Sequence, residues 1–196
     1  MRFDLDKYHR RSIRLPGYDY SSPGAYFLTI CTQERNCILG EIVEGEVKPS
    51  RAGQMIETVW RQLPDFYDGV QLDAFAIMPN HIHGIILLVG AGPRACPGPR
   101  QESGQPQGVA PTKPLSLPNA MHRFKSLTTT KYLRGVRDGE WPALPGRLWQ
   151  RNYYEHIIRN EVELAEVRGY IVENAARWVE DQENPQAREV SKPHPR

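Results

Sequence analysis

A chain of 196 residues with 39% hydrophobic and 24% charged side chains suits one soluble globular domain with a real core. A net charge of +2 does not by itself announce nucleic acid, no window approaches the roughly 18 apolar residues of a membrane span, and Met1 to Asp6 lacks an apolar signal core. Cys31, Cys37 and Cys96 share no framework spacing and read as free thiols, so the expected location is the cytoplasm.

Residues 1–22 are polar and charged and read as a lead-in arm carrying Arg10, Arg11 and Arg14. From Ala25 to Thr32 aromatic and β-branched residues follow Pro23-Gly24, which predicts a strand. Ile38 to Val47 reads as a small hairpin turning at Glu44-Gly45. Met55, Val59 and Leu63 repeat every four residues and predict a helix over 52–63, which Pro64 helps to end. Val70 to Met78 alternates, Pro79-Asn80 turns the chain, and His81 to Val89 returns as a second strand at the heart of a sheet. Residues 90–118 are rich in proline, glycine, glutamine and serine, and read as a flexible insertion within one domain that spans 23–180. Met121, Phe124, Leu127 and Leu133 predict a helix over 119–136 whose other faces are basic. Leu148 to Ile158 reads as a strand, Asn160 with Glu163 as a capping box, and 161–178 as a helix with Leu164, Val167 and Ile171 inward. Residues 181–196 are expected to fray as a polar tail. This order predicts an α+β sandwich, an antiparallel sheet with helices packed on it, close to a ferredoxin-like arrangement.

Chemistry concentrates at His81-Ile82-His83. Side chains alternate along a strand, so both imidazoles leave one face while Ile82 points into the core. Neutral imidazole is a common ligand for divalent metal, although two polar side chains on a solvated strand face would show the same spacing. Tyr170 and Asn174, four apart on the final helix, share a face at the border of core and surface. The histidines with Asn174, or with neighbouring Glu173, would supply three ligands of mixed nitrogen and oxygen type. That mixture suits Mn2+ or Mg2+, and imidazole would also accept zinc. A phenol with a pKa of about 10 is a poor nucleophile at neutral pH, and a metal beside it would polarise a phosphate oxygen.

Met78-Pro79-Asn80-His81-Ile82-His83-Gly84-Ile85-Ile86 resembles the His-hydrophobe-His motif of single-tyrosine transposases. The stretch from Leu148 to Asn160 resembles the second signature of their REP-associated branch, and Tyr170-Ile171-Val172-Glu173-Asn174 the third. Arg11 to Leu15 and Tyr26 to Ile30 are also similar to that branch, so the resemblance runs from about Arg10 to Trp178. It implies the ferredoxin-like HUH endonuclease fold of insertion-sequence-200-like enzymes, acting on single-stranded or hairpin DNA of the repetitive palindromic kind. It further implies His81 and His83 as metal ligands, Tyr170 as nucleophile forming a 5′-phosphotyrosine, and Asn174 as third ligand. Ala175 stands where the branch usually has proline, and the 90–118 insertion is not something a catalytic core requires.

Arg123, Lys125, Lys131 and Arg134 on the basic helix, with Arg14 in the arm and His122, are expected to contact DNA, although a solvated helix face would look the same. His156 is read as a buttress or DNA contact, and Glu173 as support. Adjacent Tyr153 and Tyr154 lie on a strand and point to opposite faces, so they cannot both address one phosphate. Competing readings are a catalytically silent DNA-binding module or domesticated regulator, and a metal-dependent hydrolase of small phosphoesters. The resemblance is compatible with a monomer or a homodimer.

Overall fold

A computed structural model describes residues 15, 17–89, 115–181, 183–185 and 187. Arg14, Cys96 and residues 90–114 of the expected insertion lie outside the described residues, as do most of 181–196. The strands are β1 (Gly24–Cys31), β2 (Gly40–Val43), β3 (Glu46–Pro49), β4 (Val70–Ile77), β5 (His81–Leu88) and β6 (Tyr154–Ile158). The helices are α1 (Arg51–Arg61), α2 (Leu63–Phe66), α3 (Leu117–Arg137) and α4 (Glu161–Glu173), with 3-10 segments at Gln33–Arg35 and Ala175–Glu180.

Four strands form an antiparallel sheet in the order β4-β5-β1-β6. With α1 between β1 and β4, and α3 between β5 and β6, this is the ferredoxin-like α+β topology, into which the β2–β3 hairpin is inserted. Glu44 (φ 55°) and Gly45 (φ 81°) both take left-handed backbone at that hairpin's turn, the conformation a tight two-residue connection needs.

Strand alternation divides the sheet into two apolar layers. Tyr26, Leu28 and Ile30 of β1, with Ile82 and Ile86 of β5, face α1 and α3 across a cluster that includes Trp60, Met121 and Phe124. Phe27 and Ile85 face the other way, against Leu164, Val167 and Ile171 of α4. Gly84 lies on the first face, where a Cβ would stand 2.3 Å from the Trp60 ring, so the indole needs this bare position on β5. In β4, Asp73 and Ala74 oppose a single residue of β5, and this bulge brings Asp73 to Arg168 of α4 at 2.6 Å.

Several boundaries differ from the sequence expectations. The first helix stops at Arg61, and Pro64 opens α2 rather than closing α1, since proline fits a first helical turn. The expected strand from Leu148 is regular only from Tyr154; before it, Trp149 is buried and donates its indole N–H to Thr128. The expected insertion ends earlier than 118, because Leu117 is fully buried and Ser116 caps α3. Tyr20, placed in the arm, is buried, and its carbonyl accepts from Leu117 N–H. The final helix does not run to Trp178: α4 stops at Glu173 and the chain tightens into 3-10 geometry. Nor does it fray at once beyond Glu180, since Asn184 is buried and donates to the Trp178 carbonyl. Among the described residues no helix is long and apolar enough to cross a membrane.

Candidate metal and tyrosine site

β5 opens with His81 and His83 on the face toward α4, and this face is not solvated: the two residues are 0% and 2% exposed. Their Nε2 atoms approach to 2.9 Å. The outer nitrogens are held separately, His81 Nδ1 by Asn80 Oδ1 at 2.8 Å and His83 Nδ1 by Thr29 Oγ1 at 2.9 Å. Phe27 stacks on His83 at 5.4 Å between ring centres. Burial pushes both imidazoles toward the neutral form, His83 down to about 3 and His81 well below its ordinary value, which leaves them metal-competent.

α4 brings Tyr170 to the same spot, its hydroxyl 3.3 Å from His83 Nε2. Leu164, Val167 and Ile171 press the helix on the sheet, so the neighbouring stripe reaches the histidines. Burial, followed by the negative charge of Asp181, raises the pKa of this phenol. Asn174, 3% exposed at the end of α4, lies near enough to Tyr170 and Asp181 to lower the pKa of each against the effect of burial, while its Oδ1 has no hydrogen-bond partner.

Asp181 is the residue that sequence reasoning missed. His81, His83 and Asp181 each offer a ligand atom within 4.8 Å of the others, with Asp181 Oδ2 3.8 Å from His81 Nε2. Burial raises its carboxyl pKa to about 6. The 3-10 turn after Asn174 delivers it, as Trp178 settles 6.0 Å from the His81 ring. Its one trace in the sequence is an acidic run, Glu180, Asp181 and Glu183, indistinguishable there from a solvated tail.

The residues fit a divalent cation. Two neutral imidazoles and a carboxylate converge, and both Asp181 Oδ2 and, at the end of α4, Asn174 Oδ1 are buried without hydrogen-bond partners. Such orphaned acceptors are costly unless something electropositive meets them.

Other expected site residues fall elsewhere. Glu173 is exposed and paired with Arg177, turned away from the histidines. His156 Nε2 meets Glu163 Oε1 at 2.7 Å, tying β6 to the first turn of α4. Lys125 turns back onto its own chain: its ammonium donates to the carbonyls of Gln150, Arg151 and Asn152, and burial lowers its pKa to about 8. Arg123, Lys131 and Arg134 are exposed on α3, across the sheet from Tyr170, with Arg123 lying 4.3 Å over the Phe66 ring. Tyr153 packs toward the α1–α3 layer and Tyr154 toward the α4 layer.

No family model matches the chain. A Haemophilus influenzae protein, described as uncharacterized, is 35% identical over 92% of this chain and 96% of its own length. The chain belongs to the family of that protein. Two solved structures are similar to this family member in overall path. One is a REP-associated tyrosine transposase bound to a REP hairpin, 15% identical, with 90% of this chain and 76% of that one covered at a TM-score of 0.48. The other is a Deinococcus radiodurans protein assigned as a transposase, 18% identical, covering 83% and 97% at a TM-score of 0.44. Likeness at this level assigns no residue roles.

Proposed function

We propose that the protein is a metal-dependent single-stranded DNA endonuclease and strand transferase, a tyrosine HUH transposase that acts on hairpin DNA through Tyr170. The observation that carries this reading is the Tyr170 hydroxyl 3.3 Å from His83 Nε2, inside the group formed by His81, His83 and Asp181. The motif resemblance of the sequence supports it independently.

His81, His83 and Asp181 would hold the cation, with Asn174 Oδ1 as a further donor. The mixed nitrogen and oxygen set favours manganese over magnesium, which demands near-ideal octahedral oxygen coordination. When bound, the cation would polarise a phosphate oxygen and lower the cost of ionising a phenol. Tyr170 stays neutral in the resting site because burial and Asp181 oppose its charge. Attack joins Tyr170 Oη to phosphorus; the phenol gives up its proton, the P–O3′ bond breaks, and the departing 3′ oxygen takes one up. The resulting 5′-phosphotyrosine keeps an ester that a 3′-hydroxyl can attack in turn, rejoining the strand. Asn174 eases ionisation of the hydroxyl, and Phe27 packs edge-on at 5.9 Å between ring centres to keep the tyrosine in place.

Incubating the protein with hairpin DNA and Mn2+ tests the reading. A denaturant-resistant adduct is expected with the native chain and none with Tyr170→Phe, while hairpin binding persists in both. An adduct in the Phe variant would move the chemistry to Tyr154 or Tyr153. Hairpin binding with no adduct from either protein would leave a DNA-binding module.

A further inference from the structure

Asn80 lies where two distant parts of the chain meet. It is fully buried in the short turn from β4 to β5. Its backbone carbonyl accepts from Thr32 N–H at 2.8 Å and from Thr32 Oγ1 at 3.0 Å, which pins the turn to the end of β1. Its side-chain Nδ2 donates to the carbonyls of Glu183 at 2.7 Å and Arg35 at 3.2 Å. Its Oδ1 is 2.8 Å from His81 Nδ1.

The chemistry of these partners removes any ambiguity in the amide. Two carbonyls can only accept, so the nitrogen must face them and the oxygen is left for His81. That oxygen in turn can only accept, so His81 carries its proton on Nδ1. Its Nε2 then presents a lone pair toward His83 and Asp181. The amide nitrogen meanwhile holds the segment that carries Asp181, and Arg35 adds a second tie by pairing its guanidinium with the Glu183 carboxylate.

We infer that Asn80 is a positioning residue that assembles the site from both sides, setting the His81 tautomer with its oxygen and docking the Asp181 segment with its nitrogen. This rests on reading the cluster as a metal centre. A histidine ligand ordinarily donates its outer N–H to a fixed acceptor, and loss of that acceptor weakens metal binding. Here one side chain also brings in a ligand from about a hundred residues further along the chain.

Three measurements on the full chain test the inference: calorimetric titration with Mn2+, 15N NMR of the His81 imidazole in metal-free protein, and amide exchange at Asn184. The native protein is expected to show the Nδ1–H tautomer. Asn80→Ala is expected to weaken Mn2+ binding about 10- to 100-fold, mix the tautomers and speed exchange at Asn184. Asn80→Asp keeps an acceptor for His81 but loses both donors, so exchange should rise while the tautomer stays. An Asn80→Ala affinity within about twofold of native, or native His81 found as the Nε2–H tautomer, would overturn the inference. If the native chain binds no Mn2+, the metal reading fails, while tautomer and exchange still decide the role of Asn80. Should the alanine variant not fold, the aspartate variant and the native tautomer decide it.

Discussion

Two imidazole nitrogens 2.9 Å apart and shielded from water pose a choice that only a proton or a cation settles. His81 Nε2 offers a lone pair, so His83 Nε2 must either donate to it or share a cation with it. Asp181 Oδ2, buried and without a hydrogen-bond partner, weights the balance toward the cation. Asn174, the ligand expected from the sequence, adjoins the site, and its side chain favours the charged forms of both Tyr170 and Asp181. The two candidates separate by substitution. Asp181→Asn preserves shape but removes the charge, and is expected to weaken Mn2+ binding at least about tenfold in a calorimetric titration. An unchanged affinity would return the third position to Asn174.

At the scale of elements, the site depends on how α4 is seated on the sheet. Asn160 caps its start by accepting from Glu163 N–H at 2.9 Å, and Glu163 answers by accepting from Arg159 N–H and His156. Arg168 grips Asp73 on the β4 bulge with two hydrogen bonds, 2.8 and 2.6 Å, and that guanidinium holds the Asp73 carboxyl below the usual carboxylate range. A carboxyl whose pKa falls on folding stabilises the fold above its unfolded value, and the contribution fades as pH drops through the folded value. Arg168 is about half exposed, so solvent screening keeps the contribution of the pair small. Arg168→Ala should therefore lower urea stability only slightly at pH 7, and the difference from native should begin to shrink below about pH 4 and disappear only once the pH lies below the lowered folded value of Asp73. An equal deficit at both pH values would mean that the side chain acts by packing instead.

Across the described part of the molecule the sheet separates Tyr170 from the basic face of α3. Tyr170 and the histidines lie under α4, whereas Lys131 and Arg134 point to solvent from α3 on the opposite layer. On the proposed function, a DNA strand held by that helix would touch the protein far from Tyr170. Replacing Lys131 and Arg134 by Glu is therefore expected to weaken hairpin binding and to flatten its salt dependence by about one unit for each lost phosphate contact. Adduct formation at saturating DNA, and Mn2+ affinity, should stay at native levels. Loss of adduct at saturation would show that the α3 face reaches the chemistry after all.

What could be read from the residues in order was whatever depends on near neighbours. Period-two alternation placed His81 and His83 on one face of β5, and the four-residue spacing put Tyr170 with Asn174 on one side of a helix. The ferredoxin-like order of elements followed from the same periodicities. The third member of the candidate metal group was invisible, because Asp181 reaches the histidines by a 3-10 turn and by the bond from Asn80 to the Glu183 carbonyl, neither of which leaves a periodic pattern. The setting of Lys125 was hidden for a related reason: a lysine on a basic helix looks solvated until the turn at Gln150–Asn152 folds its carbonyls over it. Local spacing decides which face a side chain occupies, but what covers that face is a long-range contact, and burial set by that cover turned two polar residues on a strand into a candidate metal site.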